Sequence, residues 1–234
     1  MSDLPMPLDL NADLGEGAGF DADLMPLITS ANVCCGKHAG GVVEMRATVE
    51  LASRFGVAIG AHPGYDDREQ FGRRERNLPH ADLVALVRAQ VEDLAALAHL
   101  KYVKAHGALY NQACRDERIA AAVVEAIAER RLPVVGLPGS KLAEAARQAG
   151  LPFIPEGYAD RRYRPDGSLV PRTEPDAFVH DPHEAAAQVQ RLIHERGIRT
   201  VCVHGDNPQA VAFAAAIRDS LMKAGFELQA FSAL

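Results

Sequence analysis

The sequence predicts one α/β domain, a single TIM-like β/α barrel over residues 1–234. Two observations favour this fold. Short apolar runs alternate with longer amphipathic segments in about seven units, and no linker rich in proline, glycine or serine divides them. Such alternation is typical of parallel strands joined by crossover helices. About seven units fall slightly short of the eight of the usual barrel, and a doubly wound open sheet is the alternative.

The predicted strands are short apolar runs bounded by turn residues. They cover residues 8–13, 30–35, 57–62, 101–106, 133–137, 152–157 and 200–205. In the first of them Asn11 and Asp13 alternate with apolar neighbours, so the period of two places both on one face of the sheet.

The predicted helices lie between the strands and show apolar residues at three- and four-residue spacing. They cover residues 41–55, 81–99, 116–131, 139–149, 182–196 and 208–224. Two have clear starts, because Asp181-Pro182 and Asn207-Pro208 each place a capping residue before a proline. Two long polar, arginine-rich loops, residues 63–79 and 158–180, are expected to serve function, since loops this long are uncommon in a compact domain.

The composition excludes several classes of function. The net charge is −6 without a basic block, which argues against nucleic-acid binding. No apolar run approaches the length of a membrane span. The N-terminus shows no signal-peptide pattern. The four cysteines form no CxxC pair and are interpreted as reduced thiols, so we expect a cytoplasmic protein.

Four histidines, His38, His62, His106 and His204, each follow an apolar run and precede glycine, proline or a small residue and glycine. In a parallel barrel, catalytic side chains lie at the carboxyl ends of the strands and in the loops that follow. A lone histidine at a strand end is more often a hydrogen-bonded structural residue. Four of them accompanied by acidic residues favour an active site at this rim.

The candidate residues divide into three groups. The predicted catalytic residues are Asp13, Lys104, His106, His204 and Asp206, with Asp13 and His204 as candidates for the general base. Lys104 is expected to hold an oxyanion, with an ion pair to Asp13 or Glu156 as the alternative. The predicted substrate-binding residues are Asn11, Glu16, His38, His62, Glu156, Arg161 and Arg172.

The third group is a candidate divalent-metal site of Asp13, His38 and His62. Carboxylate and imidazole ligands suit zinc or manganese. No HxxxH or HExxH pair fixes two ligands on one element, so a polar pocket without metal is the alternative.

Six blocks of the sequence resemble the signatures of the LamB/YcsF family. They are "DLNADLGEG", "SANVCCGKHAGG", "GAHPGYDDREQFGRR", "KAHGALYN", "YADRRYRPDGSLVPR" and "CVHGDNPQAV", spread in the family's order from residue 8 to about residue 215. The chain departs from the family at Ala12, Lys37, Ala105 and Gly157. Lys37 adds a charge beside the expected site, which bears on substrate preference.

The resemblance implies a seven-stranded barrel of the glycoside hydrolase/deacetylase type. It also implies ATP-dependent opening of the lactam 5-oxo-L-proline to L-glutamate, with release of ADP and phosphate, in a 5-oxoprolinase completed by subunits B and C. It further implies that the shared pocket holds Asp13, Glu16, His38, His62, Lys104, His106, Arg161, His204 and Asp206.

The chain has no G-x-x-x-x-G-K-[ST] loop for the phosphates of ATP. The nearest match, "GLPGSKL" at 136–142, has the wrong spacing and is expected to start a helix. We therefore hypothesise that ATP is bound partly or wholly by the partner subunits. The alternative functions are a metal-dependent deacetylase or amidohydrolase on the related barrel, and a subunit that binds substrate without catalysis.

Overall fold

Seven parallel strands form a closed ring in the computed structural model, which describes residues 6–204 and 209–231. The strands follow the predicted order and are β1 Met6–Leu14, β2 Ser30–Cys34, β3 Ala58–His62, β4 Tyr102–Lys104, β5 Val134–Gly136, β6 Phe153–Tyr158 and β7 Thr200–Val203. Each strand pairs with its neighbour in sequence, and β1 closes the ring because it pairs with both β2 and β7. The predicted seven-stranded barrel is confirmed.

An eighth short strand, β8 (Phe226–Leu228), lies outside the ring and was not predicted. It pairs in parallel with the first residues of β1, with Met6 opposite Phe226. Three residues are too few to show a period in the sequence, so pairing with β1 rather than local pattern defines this strand.

Helices cover the outside of the barrel. They are α1 Asp21–Leu24, α2 Val42–Phe55, α3 His80–Ala95, α4 Gly107–Arg115, α5 Glu117–Ile127, α6 Lys141–Gln148, α7 Pro182–Arg196 and α8 Ala210–Lys223. The predicted cap of α7 is confirmed, since Asp181 accepts a hydrogen bond from the backbone N–H of Glu184 at 2.8 Å. The predicted Asn207-Pro208 cap lies outside the described residues.

Helix α4 was missed because it starts at a glycine directly after a predicted strand. Gly107 has a φ of +52°, and a Cβ there would lie 2.8 Å from the carbonyl oxygen of Gly72. The absence of a side chain at Gly107 therefore lets the backbone turn sharply into α4. In the sequence alone, this glycine indicates a turn rather than the start of a helix.

The barrel interior combines apolar and polar side chains. Tyr102, Val135, Ile154 and Phe231 form a small apolar cluster inside the ring. A Cβ at position 60 would lie 2.1 Å from the ring of Tyr102, so Gly60 leaves the space that this ring fills. The larger apolar core lies between the barrel and the helices.

Asp9 lies at the amino end of the interior and is fully buried. It accepts hydrogen bonds from the hydroxyls of Thr29 at 2.7 Å, Ser30 at 2.5 Å, and Thr200. Burial raises the pKa of Asp9 to about 6, although these three hydrogen bonds act in the opposite direction. Within the described residues, no helix is long and apolar enough to cross a membrane.

Candidate active site

A pocket opens at the carboxyl ends of the strands, as expected for a parallel barrel. Its walls combine ionisable and aromatic side chains from β1, β3, β6 and α4, and from the loops that follow β1, β3, β4, β6 and β7. The lining residues are Asp13, Glu16, His62, Arg73, Ala105, His106, Gly107, Tyr110, Asn111, Tyr158, Arg161, Leu169, Arg172 and His204.

Lys104 lies beneath this pocket and is 1% exposed. Its Nζ lies 2.8 Å from Oε1 of Glu156 and 3.1 Å from Oδ1 of Asp13. The same ammonium donates to Oδ1 of Asn11 at 3.2 Å and to Sγ of Cys202 at 3.0 Å. Burial acts to lower the pKa of Lys104, but Asp13 and its other neighbours outweigh burial and hold the pKa well above its usual value.

This arrangement changes the interpretation of three predicted site residues. Asn11, Lys104 and Glu156 are buried below the pocket and do not line it. Because four acceptor atoms surround the ammonium, Lys104 is engaged by its ion pairs rather than offered to an oxyanion. Asn11 and Glu156 hold Lys104 and each other, since Nδ2 of Asn11 lies 3.1 Å from Oε1 of Glu156.

Asp13 joins this buried network to the pocket. Its Oδ1 accepts from Nδ2 of Asn32 at 2.7 Å as well as from Lys104, and its Oδ2 lies 3.4 Å from Nε2 of His62. Burial acts to raise the pKa of Asp13, but His62 and Lys104 hold it well below its usual value. A carboxylate this stabilised in its charged form is a poor general base.

Three histidines and a glutamate form a cluster in one wall. Nε2 of His62 lies 3.0 Å from Nδ1 of His106, and Oε1 of Glu16 lies 3.4 Å from that Nδ1 and 3.2 Å from Nε2 of His38. The four residues offer ligand atoms within 4.8 Å of one another. Burial lowers the pKa of both His38 and His106 well below the usual value, and neighbouring histidines add to the effect.

His38 is packed into the back of this cluster rather than exposed in the pocket. Its ring stacks on that of His106 with centroids 3.7 Å apart and planes 4° from parallel. A Cβ at position 64 would lie 2.6 Å from Nδ1 of His38, and one at position 72 would lie 2.7 Å from its Cβ. Gly64 and Gly72, from the first long loop, therefore admit this ring.

The predicted metal trio does not form one cluster. His38 and His62 group with Glu16 and His106, whereas Asp13 groups with Cys202 and His204. The three predicted residues lie at or near the ends of neighbouring strands in the sequence. The sequence does not show which loop brings an acidic side chain next to the histidines. That side chain is Glu16, in the loop after β1.

On the opposite side of the pocket, His204 is held by a carboxylate that the sequence analysis missed. Nδ1 of His204 lies 2.7 and 3.0 Å from the two carboxylate oxygens of Asp160. Burial acts to raise the pKa of Asp160, but His204 outweighs it and the pKa lies below its usual value. Asp160 stands two residues after Tyr158, the end of β6. The sequence feature that could have identified Asp160 is its place in "YADR", within one of the six family blocks.

Arginines from the second long loop complete this side. Arg161 donates to the backbone carbonyls of Ala177 at 3.4 Å and Val170 at 2.5 Å, and so ties residues 161–178 together. The guanidinium groups of Arg161 and Arg172 lie 5.2 and 5.3 Å from the ring centroid of Phe178. Both arginines line the pocket and give this side of it positive charge.

Lys37 lies apart from the pocket lining. Its Nζ pairs with Asp66 at 3.1 Å, and its side chain is 43% exposed. The charge that distinguishes this position is therefore neutralised in part by a neighbour on the first long loop.

Of the predicted site residues, seven line the pocket: Asp13, Glu16, His62, His106, Arg161, Arg172 and His204. Asp206 lies outside the described residues. The lining residues that were not predicted include Arg73, Tyr110, Asn111 and Tyr158. Tyr158 stacks on His204 with centroids 5.4 Å apart.

Known proteins resemble this chain in sequence and in fold. It is 46% identical to the A subunit of 5-oxoprolinase from Neisseria meningitidis serogroup C (strain 053442), over 95% of this chain and 99% of that protein. It is 40% identical to the lactam utilization protein from Thermus thermophilus, whose crystal structure superposes with a TM-score of 0.89 over 97% of this chain and all of that one.

A more distant structure shares the fold alone. A mutant of the CE4 family pseudoenzyme BA3943 from Bacillus anthracis is 10% identical, with a TM-score of 0.55 over 99% of this chain and 67% of that one. This similarity agrees with the deacetylase type of barrel. Residues 8–234 match the LamB/YcsF family. The pocket residues, the barrel and this match over nearly the whole chain lead to one conclusion: the chain belongs to the LamB/YcsF family.

Proposed function

We propose that this chain is the A subunit of an ATP-dependent 5-oxoprolinase, which works with subunits B and C. The enzyme would convert 5-oxo-L-proline to L-glutamate and ATP to ADP and phosphate. The names of the two similar proteins support this assignment, since one is the A subunit of 5-oxoprolinase and the other is a lactam utilization protein.

The observation that carries the proposal is the pairing of an oriented imidazole with guanidinium groups in one pocket. Asp160 fixes His204 through Nδ1, so Nε2 is the nitrogen left for a reacting group. Arg161 and Arg172 line the same pocket. A small lactam with a carboxylate needs both features, because guanidinium binds carboxylate well and an imidazole activates water.

The chemistry follows from the substrate. A lactam amide is a poor electrophile, and ATP activates it by phosphorylation of the carbonyl oxygen. His204 takes a proton from water while the water oxygen attacks that carbon. The C–N bond then breaks and the ring nitrogen takes a proton, which leaves an amino group and an acyl phosphate. A second water hydrolyses the acyl phosphate to carboxylate and phosphate.

The ATP site is proposed to lie mainly on subunits B and C. The glycine-containing "GLPGSKL" segment of this chain starts helix α6, as expected. Ser140 caps that helix by accepting from the backbone N–H of Ala143, and Nζ of Lys141 pairs with Glu144 at 2.8 Å. A lysine held this way on the helix surface does not replace the lysine of a phosphate-binding loop.

A cytoplasmic location is part of the proposal. The four cysteines, Cys34, Cys35, Cys114 and Cys202, are all free thiols. Free buried cysteines are typical of a reducing compartment.

The assignment is tested by an omission experiment. Subunits B and C from the same organism are incubated with 5-oxoproline and ATP, with and without this chain, and glutamate is measured. We expect glutamate to form when all three subunits are present. If the two partner subunits form glutamate equally fast without this chain, the proposal fails.

A further inference from the structure

Two histidine rings in the pocket wall face each other through one nitrogen each. Nδ1 of His62 lies 2.8 Å from the carbonyl oxygen of Lys104, and Nε2 of His106 lies 2.8 Å from that of Phe71. A carbonyl oxygen accepts and does not donate, so each of these nitrogens carries its ring's proton. When both rings are neutral, the facing nitrogens, Nε2 of His62 and Nδ1 of His106, present lone pairs to each other across 3.0 Å.

Carboxylates add further negative charge at the same place. Oε1 of Glu16 lies 3.4 Å from Nδ1 of His106, and Oδ2 of Asp13 lies 3.4 Å from Nε2 of His62. All four side chains are largely buried, so water does not screen this repulsion well. Lys104 neutralises Asp13 in part through its contact with Oδ1 at 3.1 Å. A cation between the facing ring nitrogens, either a proton or a metal ion, would relieve the repulsion that remains.

We propose that Glu16, His62 and His106 bind a divalent transition-metal ion of the zinc class. A tetrahedral ion with bonds of about 2.0–2.1 Å holds its ligand atoms roughly 3.3 Å apart. Two of the three separations between these ligand atoms, 3.0 and 3.4 Å, agree with that value, and all three lie within 4.8 Å. Two imidazoles and one carboxylate also form the ligand set of a zinc site that keeps a position open.

The backbone contacts of both rings support the proposal independently. A histidine that binds a metal ion usually donates its other ring N–H to a carboxylate or a backbone carbonyl, which fixes the tautomer and the ring orientation. His62 and His106 both do so, through different ring nitrogens, to the last residue of β4 and to the first long loop respectively.

His38 has a positioning role in this site. Its ring lies parallel to that of His106 at 3.7 Å, so an ion in the plane of His106 lies well out of the plane of His38. Nε2 of His38 instead lies 3.2 Å from Oε1 of Glu16, where its N–H holds the carboxylate. The proposed ligand set thus shares His62 with the trio predicted from sequence and replaces the other two residues.

The open side of the ion faces the pocket, since all three ligands line it together with His204. Water or a carbonyl oxygen is the class of ligand that would complete the coordination. The site rests on the geometry of the three ligands and not on the identity of the substrate.

The test uses Co²⁺ as the probe, because its visible absorption reports coordination number. The full chain is stripped with a chelator, titrated with Co²⁺, and then passed through a desalting column for metal analysis. We expect one Co²⁺ per chain, with the strong visible bands of four- or five-coordinate cobalt, and displacement by Zn²⁺. Glu16→Gln and His106→Ala should each weaken binding by more than about tenfold.

Two controls make the result decisive. His99→Ala, at an exposed position, should bind Co²⁺ like the wild type, and circular dichroism should show that Glu16→Gln is folded. The proposal is overturned if the wild type retains no Co²⁺. In that case a proton shared between Nε2 of His62 and Nδ1 of His106 would be the cation. It is also overturned if folded Glu16→Gln and His106→Ala bind as tightly as the wild type.

Discussion

The imidazole of His204 and the carboxylate of Asp160 lie 2.7 Å apart across the ends of β6 and β7. The two strands are neighbours in the barrel, with Tyr158 opposite Cys202. A residue two positions beyond each of these partners therefore meets its counterpart above the sheet. This register links the last two blocks of the family signature, since one contains Asp160 and the other contains His204.

Asp160→Asn tests what this pair does for the proposed reaction. An asparagine amide can donate to Nδ1 of His204, which favours the tautomer with its proton on Nε2 and so removes the base from the pocket side. We expect glutamate formation by the reconstituted enzyme to fall by roughly 10²–10⁴-fold, with a much smaller change in KM.

Asp219→Asn is the matched control, because Asp219 is exposed on α8. This variant should retain the wild-type rate. Near wild-type turnover in Asp160→Asn would show that the orientation of His204 by a carboxylate is not needed.

Arg172→Ala tests recognition of the substrate carboxylate. Loss of a hydrogen bond to a charged group costs about 1.5–3 kcal/mol, which corresponds to roughly a 10- to 150-fold rise in KM for 5-oxoproline. Inhibition by 2-pyrrolidone, the same lactam without the carboxylate, should be unchanged, and Lys37→Ala should match the wild type. If inhibition by pyrrolidone weakens as much as 5-oxoproline binding does, Arg172 serves pocket shape rather than charge.

Lys104→Met tests the buried ion network. The variant leaves the carboxylates of Asp13 and Glu156 inside the barrel without their shared cation, so the free energy of unfolding should fall by about 3–5 kcal/mol. Lys37→Met breaks the half-exposed pair with Asp66 and should cost less than about 1 kcal/mol. Urea unfolding of both variants measures the difference, and equal losses would contradict the network.

Asp9→Asn tests the pH dependence of stability. The unfolded chain releases this proton near its usual pKa of 3.8, and the folded chain holds it until about pH 6. The folded state therefore binds more protons in this window, and the free energy of unfolding falls as the pH rises through it. A pKa change of this size corresponds to roughly 3 kcal/mol.

The measurement is urea unfolding of the wild type and Asp9→Asn between pH 4 and pH 7. Relative to the variant, the wild type should lose up to roughly 3 kcal/mol across this range. A constant difference between the two proteins would mean that Asp9 ionises normally in the folded state.

The sequence predicted the fold well because local pattern and topology agree. Most barrel strands are apolar runs of three to nine residues followed by an amphipathic helix, and parallel pairing of neighbours follows from that order. The missed elements, α1, α4 and β8, lack such a pattern. Gly107 disguises the start of α4, and β8 depends on the edge of β1.

The site was predicted in part. Strand ends indicated which residues lie near the rim, so His62, His106 and His204 were found. The sequence did not show which of these residues are buried beneath the pocket. Lys104 and Glu156 also lie near strand ends, but their side chains belong to a buried network. The sequence also did not show which loop residues contact the strand-end histidines, since Asp160 and His204 are 44 positions apart in the chain.

The role of His204 is tested in the complete enzyme. The complete enzyme is assembled with subunits B and C and either the wild-type chain, His204→Ala or the exposed control His99→Ala, and glutamate and ADP are measured in the same reaction. We expect wild-type glutamate formation with His99→Ala and a loss of roughly 10²–10⁴-fold with His204→Ala. Glutamate formed at the wild-type rate with His204→Ala would contradict the claim that this pocket opens the lactam.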